Sequence, residues 1–278
     1  PAVSQRLLEG LNPQQQAAVV HSGSPLLVIA GAGSGKTRVL TRRISHLLAQ
    51  RSVEPYEILA ITFTNKAAGE MKNRVEALVG KRAKAIWVST FHSACVRILR
   101  QEAVRLGFTT SFSIYDQSDS VRLVTLVMRD LNLDSKRYNP RGIAALISNA
   151  KNELLGPADY RNSTQNSFEE VVAEVYAIYQ QRLTSANAMD FDDLIMKTVE
   201  VLQRFPEARA RYRQRFKHIL VDEYQDTNHA QYILIRELVG NDLEGIPAAE
   251  LCVVGDADQS IYGFRGATIR NILRSEEH

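Results

Sequence analysis

Pro25-Leu26-Leu27-Val28-Ile29-Ala30-Gly31-Ala32-Gly33-Ser34-Gly35-Lys36-Thr37 is an apolar run that passes directly into a glycine-rich loop ending in Gly-Lys-Thr. A short apolar run bounded by glycines predicts a buried strand. The loop after it has the composition of a triphosphate cradle. Its glycines let backbone N–H groups close around the phosphates, Lys36 reaches the β/γ oxygens, and the Thr37 hydroxyl ligates Mg²⁺. The helix expected from about Thr37 through Leu48 points its positive end at the same anions. On this reading the nucleotide is held by Ala32, Gly33, Ser34, Gly35, Lys36, Thr37 and Arg38. The usual pattern begins with Gly five residues before Gly35, where this chain has Ala30. A flexible loop with a chance lysine is the alternative, and the strand–loop–helix context argues against it.

Outward from this loop, four more apolar runs read as buried parallel strands: Ile58–Phe63, Ile86–Ser89, His218–Val221 and Leu251–Gly255. Helical or loop sequence separates them, and each ends in polar residues. The pattern predicts an α/β domain with a parallel sheet and ligands at the carboxyl ends of its strands. From about residue 116 to 200 the periodicity becomes helical, as in Val121/Val124/Val127/Met128/Leu131 and Phe168/Val171/Val172/Val175/Tyr179. Breaks near Asn139-Pro140 and Asn162–Ser167 divide this stretch into helices. The expected organisation is an α/β domain in two parts, 1–110 and 190–278, with an all-helical subdomain at 111–189 inserted between them. The insertion extends to about 216 on a wider boundary.

The chain has 278 residues, 45% hydrophobic and 23% charged, which suits one large or two modest globular domains. It contains no apolar run near the ~18 residues of a membrane span and no signal-peptide pattern. Pro1 in place of Met implies a trimmed N-terminus. Cys95 and Cys252 are too few for a disulfide framework, so the chain reads as cytoplasmic. His92-x-x-Cys95 has no second pair at metal spacing, which argues against zinc. Net charge is only +3. It is nevertheless uneven, with Lys66, Lys72, Arg74, Lys81, Arg82, Lys84, Arg97, Arg100 and Arg105 in one stretch and Arg204, Arg209, Arg211, Arg213, Arg215 and Lys217 in another. Such clusters fit a polyanion footprint, and each alone fits a solvated helix face equally well.

Two further strand ends carry chemistry. His218-Ile219-Leu220-Val221 delivers Asp222 and Glu223. Asp222 is placed to share Mg²⁺ with Thr37, and Glu223 to polarise an attacking water as general base. Val253-Val254-Gly255-Asp256-Ala257-Asp258-Gln259 presents a neutral amide suited to sensing a γ-phosphate. Tyr262, Phe264 and Arg265 then form an aromatic–basic stretch of the kind that stacks on bases, although aromatics under a turn would look the same.

Together these residues resemble the first half of a superfamily 1 DNA helicase of the UvrD/PcrA/Rep family, most of all the actinobacterial UvrD-like enzymes. Leu11-Asn12-x-x-Gln15-x-x-Ala18-Val19 resembles the family's Q motif, in which Gln15 would read the adenine edge. Ala30–Thr37 resembles motif I, where Ala in the first position is normal. Ile61-Thr62-Phe63-Thr64-Asn65-Lys66-Ala67-Ala68 resembles motif Ia, and Val88-Ser89-Thr90-Phe91-His92 motif Ib. Asp190-Phe191-Asp192-Asp193-Leu194 resembles the segment that re-enters the core after the insertion. Asp222-Glu223-Tyr224-Gln225-Asp226 resembles motif II, and Gly255–Ala267 motif III.

The resemblance implies a RecA-like P-loop NTPase domain, ATP and Mg²⁺ as cofactors, and 3′-to-5′ movement on single-stranded DNA, with 3′-tailed duplexes and repair proteins as partners. Lys36, Glu223 and Gln259 would serve catalysis. Phe63, Asn65, Thr90, His92, Tyr262, Phe264 and Arg265 would contact DNA. Phe264 stands where many relatives have Trp, so a smaller ring would stack. The family's arginine fingers lie on a second RecA-like domain that is not part of this sequence, and Leu273–His278 departs from the family's continuation. Three alternatives stay open: an ATP- and DNA-binding module with little turnover, part of a helicase–nuclease, and an unrelated P-loop kinase or NTPase. The Gln15 motif and the aromatic–basic stretch argue against the last.

Overall fold

The apolar runs become strands close to where their composition places them. The structure, a computed structural model, describes residues 2–30 and 35–256. Its strands are β1 (Leu26–Ala30), β2 (Ile58–Thr62), β3 (Trp87–Thr90), β4 (Ser113–Tyr115), β5 (Ala188–Asp190), β6 (His218–Val221) and β7 (Glu250–Asp256). Two compact units result. One comprises Pro1–Ala94, Pro206–Thr227 and Ile235–His278, the other Cys95–Phe205 and Asn228–Leu234.

The first unit is built on a five-stranded sheet in the order β1-β7-β6-β2-β3. Every pairing is parallel, so all five strands deliver their carboxyl ends to one edge. The central strands are buried along their length, as expected of strands covered on both faces. Leu40, Ile44, Leu47 and Leu48 of the helix Lys36–Gln50 pack with Ile58, Ala60, Leu220, Cys252 and Val254 from the sheet. Burial raises the Cys252 thiol to about 11, as for an inert core side chain. β1 is less enclosed than its composition implies, with Leu27 and Ile29 38% and 50% exposed.

Two consecutive arginines on Lys36–Gln50 hold the N-terminal helices in place. The Arg42 guanidinium donates to the carbonyls of Arg6, Leu7 and Glu9 at 2.8–3.1 Å, at the end of the helix Ala2–Leu8. Arg43, only 2% exposed, donates to the Ala18 carbonyl at 3.0 Å and to that of His21 at 2.8 Å, at the end of the helix Pro13–Val20. Helix C-termini leave carbonyls unpaired, and a cationic side chain there satisfies them and complements the dipole. The Gln15 helix is thereby fixed against the helix that begins with Lys36.

At the opposite edge of the sheet, Glu250 accepts from Arg51 at 2.8 Å and from the Gly23 N–H at 2.7 Å, and approaches His218 Nδ1 at 3.3 Å. Burial pushes the His218 pKa down to about 4; Arg51 and Arg43 add to this and Glu250 only partly opposes it. Because the folded value lies below the ordinary one, the unfolded chain binds the extra proton. Stability is therefore intact above about pH 6.5 and is lost as pH falls towards 4. We expect urea unfolding to show a loss on the order of 2–3 kcal/mol across that window. His218→Gln should flatten it, and an equally steep acid dependence in that variant would assign the effect elsewhere.

The second unit is mostly helical, as the periodicity predicts. Val124, Val127 and Met128 of the helix Gln117–Asp130 pack with Ile143 and Ile147 of Pro140–Asn152 and with Val172, Val175 and Tyr179 of Ser167–Ser185. Asn139 and Asn166 cap the last two helices by accepting from the N–H groups of Arg141 and Glu169. The unit also contains a feature that periodicity does not reveal, a parallel ladder between β4 and β5. Three-residue strands are too short to show alternation. Cys95 is buried in this unit, and burial raises its thiol to about 12.

A buried charge cluster joins three helices of this unit. Lys151 Nζ donates to Asp190 Oδ2 at 2.6 Å and lies 3.0 Å from Asp193 Oδ1. Tyr179 Oη also donates to Asp190, at 2.8 Å, and Gln180 Nε2 approaches both Asp193 oxygens at 3.3 Å. Asp190 and Asp193 form a reciprocal cap at the start of the helix Phe191–Arg204. Burial opposes the Lys151 charge, but Asp193 and Asp190 outweigh it and hold the ammonium above its ordinary pKa.

Candidate functional site

The parallel register sets the site. β1 and β7 end together at Ala30 and Asp256, β6 and β2 pair Val221 with Ile61, and β2 and β3 pair Thr62 with Thr90. The described residues just beyond these ends therefore share one edge: Asp222 after β6, Phe63 after β2 and His92 after β3. Ligands of open parallel sheets bind at this edge.

Gly35 is the N-cap of Lys36–Gln50 and adopts φ 81°, ψ 28°, a left-handed conformation that suits only glycine without strain. It supplies no capping side chain, and the first helical turn carries no acidic residue. The first-turn N–H groups thus have no side-chain cap, an arrangement that favours an anion. Gln15 sits close by, its Nε2 3.8 Å from where a Cβ on Gly35 would stand. Its Oε1 accepts from the Asn12 N–H and its own N–H donates to Asn12 Oδ1, so the residue expected to read a base also fixes its helix start.

Lys36 and Glu223 meet although they lie far apart in sequence. Lys36 Nζ donates to Glu223 Oε1 at 3.1 Å. Glu223 has φ 49°, ψ 44°, a left-handed conformation uncommon outside glycine. This reversal turns the chain sharply after β6. Asp222 stays 7% exposed at the strand end, its Oδ1 accepting from the Glu223 N–H at 2.8 Å. Burial raises the Asp222 carboxyl pKa, with a smaller push from Glu223, while the backbone bond and Lys36 oppose the rise. A buried carboxylate beside a second one favours a bound cation. Thr37 is half-buried at the start of the same helix as Lys36. Thr37 and Asp222 are of the type that holds Mg²⁺ through one hydroxyl and one carboxylate, with phosphates and waters completing the shell. No cluster of three or more His, Cys, Asp or Glu suited to a metal is present among the described residues, and such a Mg²⁺ site needs none.

Gln225 joins this group, a contact the sequence does not signal. Its Nε2 donates to Glu223 Oε2 at 2.5 Å, and its Oε1 accepts from the Asp256 N–H at 3.1 Å. Arg38, in contrast, is exposed and its guanidinium contacts the Gly10 carbonyl at 3.3 Å.

The residues expected at DNA cluster beyond β2 and β3. Phe63 is half-buried, its ring 5.6 Å from that of Phe91 in an edge-on contact. Asn65 is exposed at the start of the helix Asn65–Val79, which Thr64 caps by accepting from the Ala67 N–H. Thr90 Oγ1 accepts from the Ser93 N–H and lies 3.0 Å from Ser93 Oγ. His92 is half-buried, and that burial lowers its pKa, favouring a neutral ring. Ala32, Gly33, Ser34, Gln259, Tyr262, Phe264 and Arg265 lie outside the described residues.

The second basic stretch is largely engaged within the protein. Arg209 pairs with Glu244, Arg213 with Glu237 and Glu244, and Arg215 donates to the Tyr56 carbonyl while its guanidinium lies 4.7 Å from the Trp87 ring centroid. In the first stretch, Arg82 donates to the Leu48 carbonyl, Arg100 to those of Thr110 and Phe112, and Arg105 pairs with Glu102. Lys66 is exposed beside Asn65. No helix among the described residues is long and apolar enough to cross a membrane.

Comparison with known proteins identifies a family. The model of the UvrD/REP helicase N-terminal domain matches residues 11–278. The chain is 63% identical over 277 residues to the ATP-dependent DNA helicase UvrD1 of Mycobacterium tuberculosis, covering 98% of this chain and 36% of that protein. It is 59% identical to UvrD1 of Mycobacterium leprae, covering 96% and 36%. To the ATP-dependent DNA helicase PcrA of Bacillus subtilis it is 51% identical over 275 residues, covering 99% and 36%. The chain thus spans about a third of the length of these relatives. The five-stranded parallel sheet with its helices is consistent with a RecA-like helicase domain, and the chain belongs to the UvrD/REP helicase N-terminal domain family.

Proposed function

We propose that this chain is the ATP-gripping N-terminal part of a UvrD/PcrA-type DNA helicase that moves 3′ to 5′ on single-stranded DNA, opens 3′-tailed duplexes and serves DNA repair or replication in the cytoplasm. The observation that carries the reading is the 3.1 Å contact of Lys36 with Glu223, which puts the phosphate-loop cation at the strand-end carboxylates. In the proposed cycle the backbone around Gly35 and the Lys36 ammonium hold the β- and γ-phosphates, and Gln15 reads the adenine. Thr37 and Asp222 would hold Mg²⁺, which would supply positive charge to the phosphate oxygens. Glu223 orients and deprotonates the attacking water. Gln259 senses the γ-phosphate. DNA crosses the neighbouring strand ends at Phe63, Asn65, Thr90 and His92, and reaches Tyr262, Phe264 and Arg265.

For the chain on its own, binding without turnover is the favoured behaviour. Phosphoryl transfer in P-loop enzymes draws on charge supplied across a cleft, worth about 10³–10⁵-fold where an arginine finger does it. The full-length helicase would bring that charge from a second RecA-like domain.

Lys36→Ala tests the nucleotide site. A charge-assisted hydrogen bond is worth roughly 1.5–3 kcal/mol, so affinity for a fluorescent ATP analogue with Mg²⁺ should fall about 10–100-fold. Unchanged affinity in a folded variant would remove the basis of the assignment.

A further inference from the structure

One side chain spans two strand ends of the first unit. Gln225 is 8% exposed and sits in the turn Tyr224–Asp226 that follows Glu223. Its amide nitrogen meets an acceptor-only carboxylate, Glu223 Oε2, at 2.5 Å. Its amide oxygen meets a donor-only group, the backbone N–H of Asp256, at 3.1 Å. Rotating the amide by half a turn would set oxygen against oxygen and N–H against N–H, so the partners fix its polarity. Asp256 ends β7, the direct neighbour of both β6 and β1.

The Glu223 carboxylate is therefore held from two sides. Lys36 takes Oε1 and Gln225 takes Oε2. The Lys36 contact cannot persist unchanged once phosphates compete for the ammonium, whereas a neutral amide is drawn to phosphate less strongly. Gln225 is then the group that keeps the carboxylate in place while Lys36 turns to a nucleotide. The left-handed backbone at Glu223 adds to the need, because a strained turn persists only where its surroundings enforce it.

We infer that Gln225 is a positioning residue for nucleotide hydrolysis: it orients the Glu223 carboxylate through its Nε2 and anchors it to the end of β7 through its Oε1. The inference deepens the reading of Glu223 as general base and depends on it. Misplacing a reacting group by about 1 Å costs on the order of 10²-fold, which sets the scale of the effect.

Gln225→Glu separates the two halves of this role. A glutamate of the same shape keeps an acceptor for the Asp256 N–H, loses the donor to Glu223, and adds a like charge beside it. In the full-length helicase we expect kcat for ATP to fall about 10–100-fold while KM stays within about threefold. Gln225→Ala should lower kcat to a similar extent. A purely structural role predicts a near-normal Gln225→Glu and a damaged Gln225→Ala, which would overturn the inference. A second measurement, on the 278-residue chain, needs no turnover. Gln225→Glu should lower the thermal midpoint by a few degrees, and adding Glu223→Gln should restore most of it, because the exchanged pair again sets one amide donor against one carboxylate. Strictly additive midpoint shifts would mean that the two side chains do not interact and would also overturn the inference. A wild-type enzyme that turns over no ATP, with the midpoint coupling intact, would fault the helicase reading and leave the tether standing.

Discussion

Glu223→Gln in the full-length helicase is expected to retain nucleotide binding and lose turnover, by roughly 10²–10⁴-fold, the usual contribution of a positioned general base. The amide is isosteric, so it fits the left-handed turn at φ 49°, and its single oxygen can accept from Lys36 or from Gln225 but not from both. It cannot accept a proton from water. Lys36 loses an anionic competitor, so affinity for ATP with Mg²⁺ should hold or rise. Rapid-quench turnover beside equilibrium binding of a fluorescent analogue separates the two effects. Turnover near that of wild type would exclude Glu223 as the base and pass the role to another carboxylate or to a water network. Equal losses in binding and turnover would indicate a damaged site rather than a missing base.

The second large effect is on stability. Lys151→Met should destabilise the helical unit by about 3–5 kcal/mol, because it strands Asp190 and Asp193 in the interior without their counter-charge. Both carboxylates are nearly inaccessible, at 5% and 1% exposure, and burial already raises the Asp193 pKa in the presence of Lys151. Methionine fills similar volume, so the loss is electrostatic rather than a cavity effect. At roughly 2–4 °C per kcal/mol for a domain of this size, the thermal midpoint should fall by about 6–20 °C. Adding Asp193→Asn should recover much of it, since Asp190 still caps the helix Phe191–Arg204 and an asparagine at 193 can still accept from the Asp190 N–H while carrying no charge. A midpoint within about 2 °C of wild type would mean that Lys151 contributes little beyond its packing. The penalty should also shrink at low pH, where one of the stranded carboxylates takes up a proton.

The sequence by itself determined the strands of the main sheet, the helix that begins at Lys36, and the delivery of Asp222 and Glu223 to a strand end. These are local signals. Five apolar residues before a glycine loop, or a short apolar run before two acids, state their structure without reference to distant partners. Helical periodicity across 116–200 was legible for the same reason, and Asn139 and Asn166 mark helix starts in sequence as in space. What only the tertiary structure decided concerns pairs far apart in the chain. The order β1-β7-β6-β2-β3 is not written in any segment, yet it brings Lys36 to Glu223 and Gln225 to Asp256. Arg42 and Arg43 read as two charges on a helix face, and the fold spends them on the carbonyl ends of two other helices. The basic stretch 204–217 suited a polyanion equally well, until Glu237, Glu244 and the Tyr56 carbonyl took up Arg209, Arg213 and Arg215. A formal charge counts a residue's valence and says nothing of its neighbour. A hydrogen bond or ion pair needs both partners within about 3 Å, and only the folding of the whole chain sets that distance.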